Sequence, residues 1–75
     1  MNKGLISTQD ITRIHNLSYQ TVNYYTNLGL LMVRKKVGNS RLYKAGEVRR
    51  RLDAVTKFKN QGYSLKLIRD MLRKK

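Results

Sequence analysis

The sequence has no cysteine, no proline and no tryptophan, and it has only four acidic residues. Without cysteine, a disulfide framework, a zinc–thiolate site and a thiol nucleophile are all excluded. The single His15 and the scattered acids Asp10, Glu47, Asp53 and Asp70 offer little for a metal site or for acid–base catalysis. No apolar run approaches the ~20 residues that a membrane-spanning helix needs. We therefore expect no enzyme activity, no cofactor, no metal and no transmembrane segment.

Basic charge is the dominant feature of the chain. Its 75 residues include 17 Lys and Arg, and the formal net charge is +13. Fifteen of these basic residues follow Val33, together with three of the acidic ones, so the charge is concentrated in the second half. A compact domain this basic repels itself unless an anionic partner neutralises it. Double-stranded DNA is the partner that we predict, and an anionic membrane surface is the alternative.

Glycines and capping residues divide the chain into four helical and two strand-like segments. The first predicted helix begins after Thr8, which can cap it, and the second spans Tyr19 to Leu28 between a Ser18 cap and Gly29. The third spans Glu47 to Gln61, and the fourth runs from Leu65 to about Arg73 after Ser64. The predicted strands are 30–33 and 41–43, joined by a basic loop over 34–40 with a Gly-Asn turn signal. The predicted fold is one domain over 1–75, mostly α with a small β-hairpin. It is a winged helix-turn-helix in the order α-α-β-β-α-α.

Apolar spacing predicts which helix faces are buried. Ile11 and Ile14 lie one turn apart and mark the inner face of the first helix. Val22 and Tyr25 mark the inner face of the second. The run 49–51 is all arginine and fans around the third helix, so we expect it to face solvent.

The second helix carries amides and phenols on its other faces and has no acid. Reading base edges in the major groove requires hydrogen-bonding side chains near a helix N-terminus, where Tyr19 and Gln20 lie. Gln20 can pair with adenine, Asn23 can do likewise or reach a phosphate, and Tyr24 can donate its hydroxyl to a phosphate. The alternative is that Gln20 is solvated surface and Tyr25 is core.

The predicted hairpin is rich in cations. Arg34, Lys35, Lys36 and Arg41 lie within eight positions, and a projecting basic hairpin can lie along phosphates or enter a minor groove. The alternative is an edge hairpin whose charge protects it from aggregation. Lys57 and Lys59, near the end of the third helix, could also meet backbone phosphate.

Four motifs in register resemble the DNA-binding domain of MerR-type transcriptional regulators. The run 18–31, Ser-Tyr-Gln-Thr-Val-Asn-Tyr-Tyr-Thr-Asn-Leu-Gly-Leu-Leu, is similar to the family's recognition helix, T-(I/L/V)-R-Y-Y-E-x-x-G-L-L after a Ser/Thr cap. Arg41-Leu42-Tyr43 resembles the R-x-Y that closes the wing. Glu47-Val48 with Leu52, and Gly62-Tyr63-Ser64-Leu65 with Ile68, resemble the openings of the third and fourth helices.

The resemblance implies a role for several residues. It implies that Arg41 contacts a DNA phosphate and that both Tyr24 and Tyr25 contact the DNA backbone. Asn23 and Thr26 depart from the family, which usually has an Arg and a Glu that form a charged pair at these positions. The candidate DNA-binding residues are Ser18, Tyr19, Gln20, Asn23, Tyr24, Tyr25, Arg34, Lys35, Lys36, Arg41, Lys57 and Lys59.

The resemblance also implies a setting. The predicted function is sequence-specific DNA binding by a MerR-like regulator without its sensor and dimerisation helix, in the bacterial cytoplasm and nucleoid. A homodimer or an RNA polymerase contact is expected only if a longer native chain exists. An excisionase-like or architectural DNA-bending factor is the alternative, and a cationic membrane-surface protein is a weaker one.

Overall fold

The computed structural model describes residues 4–73; the predicted domain also takes in 1–3 and 74–75, which lie outside the described residues. The described part has this element order: β1 (Leu5–Ser7), α1 (Thr8–His15), α2 (Tyr19–Leu28), β2 (Val33–Val37), β3 (Ser40–Lys44), α3 (Ala45–Asn60) and α4 (Leu65–Arg73). The fold is a winged helix-turn-helix, as predicted, and it has one additional strand, β1, that was not predicted.

That additional strand completes a three-stranded antiparallel sheet in the order β1-β3-β2. β1 pairs with β3, with Leu5 opposite Lys44 and Ser7 opposite Leu42. The strand has only three residues and its partner is almost forty residues away. It is therefore a product of tertiary pairing, with too few residues for a visible alternation.

The hairpin corrects the predicted strand boundaries. The predicted strand over 30–33 is wrong for 30–32, and only Val33 belongs to β2. Leu30 and Leu31 are instead buried after the end of α2, where their amides donate to the Tyr25 carbonyl at 2.9 and 3.3 Å. Most of the predicted loop 34–40 is strand, and only Gly38 and Asn39 form the turn. Gly38 has a φ of +61°, as the first central residue of a type II′ hairpin turn requires.

The first helix begins one residue earlier than predicted. Its N-cap is Ser7, not Thr8, in a capping box: the Ser7 hydroxyl accepts from the Asp10 amide, and the Asp10 carboxylate accepts from the Ser7 amide, both at 3.1 Å. Ile11 is fully buried, but Ile14 is 54% exposed, so its predicted inward placement is wrong. The helix has only eight residues and ends at Asn16, which has a left-handed backbone conformation.

Both ends of α2 lie where the sequence predicts them. The Ser18 hydroxyl accepts from the Thr21 amide at 3.0 Å, which fixes the N-terminus. Gly29 ends the helix with a φ of +97°, a conformation that costs glycine least. The turn between α1 and α2 is therefore short and defined at both sides.

Two connected apolar clusters hold these elements together. The first joins α1, α2, β3 and α3, and its buried members are Ile11, Val22, Leu31, Tyr43 and Val48. The second joins α2 to α3 and α4, with Leu30, Val55 and Ile68 at its centre. Tyr25 packs against both clusters, so the inner face of α2 is anchored along its length, while Tyr19, Gln20 and Tyr24 remain exposed to solvent. Within residues 4–73, no helix is both long enough and apolar enough to cross a bilayer.

Candidate nucleic-acid interface

The outer surface of α2 carries polar and aromatic groups. Tyr19 is 59% exposed and Tyr24 is 51% exposed, and Gln20 lies beside them in solvent. Gln20 and Tyr24 are four residues apart, so they share one face of the helix. No acidic residue lies between Ile11 and Gly46, so nothing in α2 or the hairpin repels an anion.

Three other predicted residues of this segment have structural partners. The Ser18 hydroxyl caps the helix and also donates to the Thr21 hydroxyl at 2.8 Å. Tyr25 is half-buried and its ring packs into the core, 6.2 Å from the ring of Tyr24. Asn23 is half-buried and lies on the side of α2 that faces β3.

The hairpin exposes three of its four predicted cations. Every residue of β2 is exposed, including Arg34, Lys35 and Lys36. The pairing shifts by one residue between Val33 and Lys35, so Arg34 has no direct partner on β3. Such a bulge increases local twist and turns side chains to new directions.

Two hydrogen bonds attach β3 to α2. The Arg41 guanidinium donates to the Asn23 amide oxygen, and the Tyr43 and Thr26 hydroxyls lie 2.8 Å apart. Thr26 also donates to the Val22 carbonyl at 2.8 Å. Asn23 and Thr26 are two of the positions at which this chain departs from the pattern of the family that it resembles. Here they join the helix to the wing through neutral side chains instead of forming a charged pair.

Two arginines, which sequence reasoning missed, hold the C-terminal end of α2. Arg51 donates to the Leu30 carbonyl at 3.2 Å, and Arg69 donates to the Leu28 carbonyl at 3.3 Å. Cations favour the negative end of a helix. The prediction that Arg51 faces solvent with the rest of its run is wrong: its side chain is only 11% exposed, and it lies 3.9 Å from the Glu47 carboxylate.

A polar cleft lies where the wing meets α1 and α2. It has a volume of about 200 Å³, and its lining includes Thr8, Tyr19, Ser40 and Arg41.

At the start of α1, the hydrogen bond from the Ser7 amide, followed by that from Arg13, lowers the pKa of Asp10 below its usual value. The carboxylate is therefore ionised at neutral pH, and its two oxygens accept hydrogen bonds from the Ser7 amide and from the Arg13 guanidinium.

The last two candidates lie elsewhere. Lys57 and Lys59 are exposed in the final turn of α3. Since a helix rises ~1.5 Å per residue, Lys57 is roughly 18 Å along α3 from its start beside the wing. The structure thus brings the residues of α2 and the hairpin together and leaves these two lysines at the corner between α3 and α4.

Comparison with known proteins gives one finding. Residues 6–75 match the family model described as "MerR HTH family regulatory protein". The match covers nearly the whole chain, including α2, the hairpin and both later helices. A search of curated proteins and a search of solved structures each gave no significant match.

Proposed function

The chain belongs to the MerR HTH family of regulatory proteins and is a DNA-binding regulator; from this premise we propose that it reads sequence by placing α2 in the major groove. The β2–β3 hairpin then lies on the neighbouring backbone. One α-helix fits the major groove, and residues near the N-terminus of a recognition helix contact base edges. The observation that carries the proposal is the exposed, acid-free surface of α2 beside a hairpin of exposed cations.

Each part of this surface has a distinct role. Gln20 contacts a base edge, since its amide can donate and accept in the plane of an adenine. Tyr19 and Tyr24 donate their exposed hydroxyls to phosphate oxygens on either side of the groove. Lys35 and Lys36 bind phosphate without reading sequence.

The contribution of phosphate contacts to DNA affinity is tested by the dependence of binding on salt concentration. Six cations are candidates for phosphate contact: Arg34, Lys35, Lys36, Arg41, Lys57 and Lys59. If all six act, log affinity falls with log salt concentration at a slope of about −5. A fluorescence-anisotropy titration over several salt concentrations measures this slope, and a flat dependence would exclude phosphate neutralisation as the basis of binding.

Base recognition by Gln20 is tested with a pair of variants, one at Gln20 and one at the phosphate-binding Lys35. Gln20→Ala should weaken binding to the preferred site by about 1–3 kcal/mol and relax the preference at one base pair. Lys35→Ala should weaken binding to all duplexes alike and reduce the salt slope by about one. Equal losses on all sequences for both variants would remove Gln20 from the base-reading set.

The arrangement of copies on DNA is a separate part of the proposal. A regulator that acts as a homodimer protects two half-sites related by two-fold symmetry. A footprint on a long duplex shows whether protection covers one half-site or two. Several copies on direct repeats, with bending of the duplex, would instead indicate an architectural role.

A further inference from the structure

The contact between Arg41 and Asn23 fixes which hydrogen-bonding groups Asn23 can offer to DNA. Arginine has only donors, so the atom of Asn23 that meets it must be the amide oxygen, and the amide nitrogen with its two N–H groups lies on the other branch of the side chain. Asn23 is the fifth residue of α2, ~6 Å along the helix from Tyr19, and is therefore within the part that meets base edges.

The hydrogen bond from Arg41 changes which base Asn23 can recognise. A free asparagine pairs with adenine by accepting from the N6 amino group and donating to N7. Here the oxygen is engaged, and an adenine amino group that approached its second lone pair would come alongside the guanidinium charge. The guanidinium keeps four N–H groups, so the pair presents donors only. Guanine, with acceptors at both N7 and O6, matches such a surface.

We propose that Asn23 and Arg41 act as one donor-only unit that selects guanine over adenine at the base pair facing the middle of α2. This inference rests on the proposed function, since it requires α2 in the major groove. It makes Arg41 a specificity residue as well as a phosphate ligand, and it couples the wing to base reading.

The structure also shows why the unit is well defined. Asn23 and Arg41 are both half-buried, in contrast to the exposed cations of β2. One turn further along α2, the hydrogen bond between Thr26 and Tyr43 holds β3 against the helix. The backbone positions of both partners are therefore set by the core, because Tyr43 is completely buried.

The test is a binding selection from randomised duplexes with the wild-type chain, followed by affinities for two duplexes that differ only by guanine or adenine at the position concerned. That position is the base pair whose preference changes in Asn23→Ala. The wild type should favour guanine by about tenfold, a typical effect of one well-placed base contact. In Arg41→Ala the freed amide oxygen should shift the ratio at least about fivefold towards adenine.

Lys36→Ala is the matched control, since Lys36 lies directly opposite Arg41 on the hairpin but on the exposed strand. It should weaken both duplexes equally and leave their ratio unchanged. Circular dichroism checks that each variant is folded, and should Arg41→Ala not fold, Asn23→Ala alone must bring the ratio close to one.

Two outcomes overturn the inference and are distinguishable from a failure of the proposed function. The first is a sequence-specific wild type that prefers adenine at this position; the second is an Arg41→Ala or Asn23→Ala variant that keeps the wild-type preference at every base pair. Either outcome refutes the donor-only unit and leaves the proposed function standing. A wild type that binds every duplex in the library equally refutes both.

Discussion

Replacing Tyr43 by phenylalanine removes one hydroxyl from the contact between the wing and α2. The Thr26 hydroxyl has one proton, which it donates to the Val22 carbonyl at 2.8 Å, so Tyr43 is the donor in its 2.8 Å contact with Thr26. Phenylalanine keeps the buried ring and leaves no cavity. The expected loss is therefore that of one neutral hydrogen bond, about 1 kcal/mol of unfolding free energy. In a domain of this size, that loss lowers the melting temperature by about 4–8 °C.

Urea and thermal unfolding of four chains measure the contact itself. The wild type, Tyr43→Phe, Thr26→Val and the double variant form a cycle that should give a coupling of about 1 kcal/mol. Tyr63→Phe is the control, because Tyr63 is 38% exposed; its stability should stay within about 0.5 kcal/mol of the wild type. A coupling of zero, or equal losses for the two tyrosine variants, would show that the hydroxyls do not join β3 to α2 in solution.

Two further predictions concern the ends of the first two helices. Gly29→Ala should destabilise the fold by about 1–2 kcal/mol in urea, since alanine resists a φ of +97° and its Cβ would lie 3.2 Å from Arg69 Cδ; Gly46→Ala, in an open helical position, should be neutral or stabilising, and the reverse order would contradict this account. Asp10 has a folded-state pKa below its unfolded value, so its contribution to stability is complete above about pH 4 and is lost as the pH falls through the folded pKa. Unfolding profiles below about pH 4 should therefore be flatter for Asp10→Asn than for the wild type, and parallel profiles would contradict the capping role.

Elements defined by local chemistry could be predicted from the sequence. Ser18 and Gly29 each stabilise a helix end through atoms within a few residues, and both ends of α2 were predicted correctly. The same holds for Ser64, whose hydroxyl accepts from the Leu67 amide at 3.1 Å at the start of α4. Such signals depend on neighbouring residues and survive in any tertiary context.

Features that depend on distant residues could not be predicted. Leu30 and Leu31 continue an apolar run that is typical of a buried strand, and only the packing of α3 and α4 against α2 makes them core residues of a turn. β1 exists because β3 offers it a partner. Arg51 could not be distinguished from the two arginines before it, because the carbonyl that it binds is 21 residues away.

The candidate site shows the same division. The exposed residues of α2 and the cations of the hairpin follow from helical spacing and from charge. The link between Asn23 and Arg41 spans 18 residues and depends on how β3 lies against α2. Sequence could indicate that Asn23 departs from the family pattern, but it could not identify the partner that replaces the usual ion pair.

Mapping of amide chemical shifts on addition of a duplex tests most directly whether α2 and the wing together form the DNA-binding surface. The account predicts that the largest changes fall on residues 19–24 and 34–41, with smaller ones at Lys57 and Lys59. Changes concentrated on the exposed face of α4, with α2 unaffected, would contradict it.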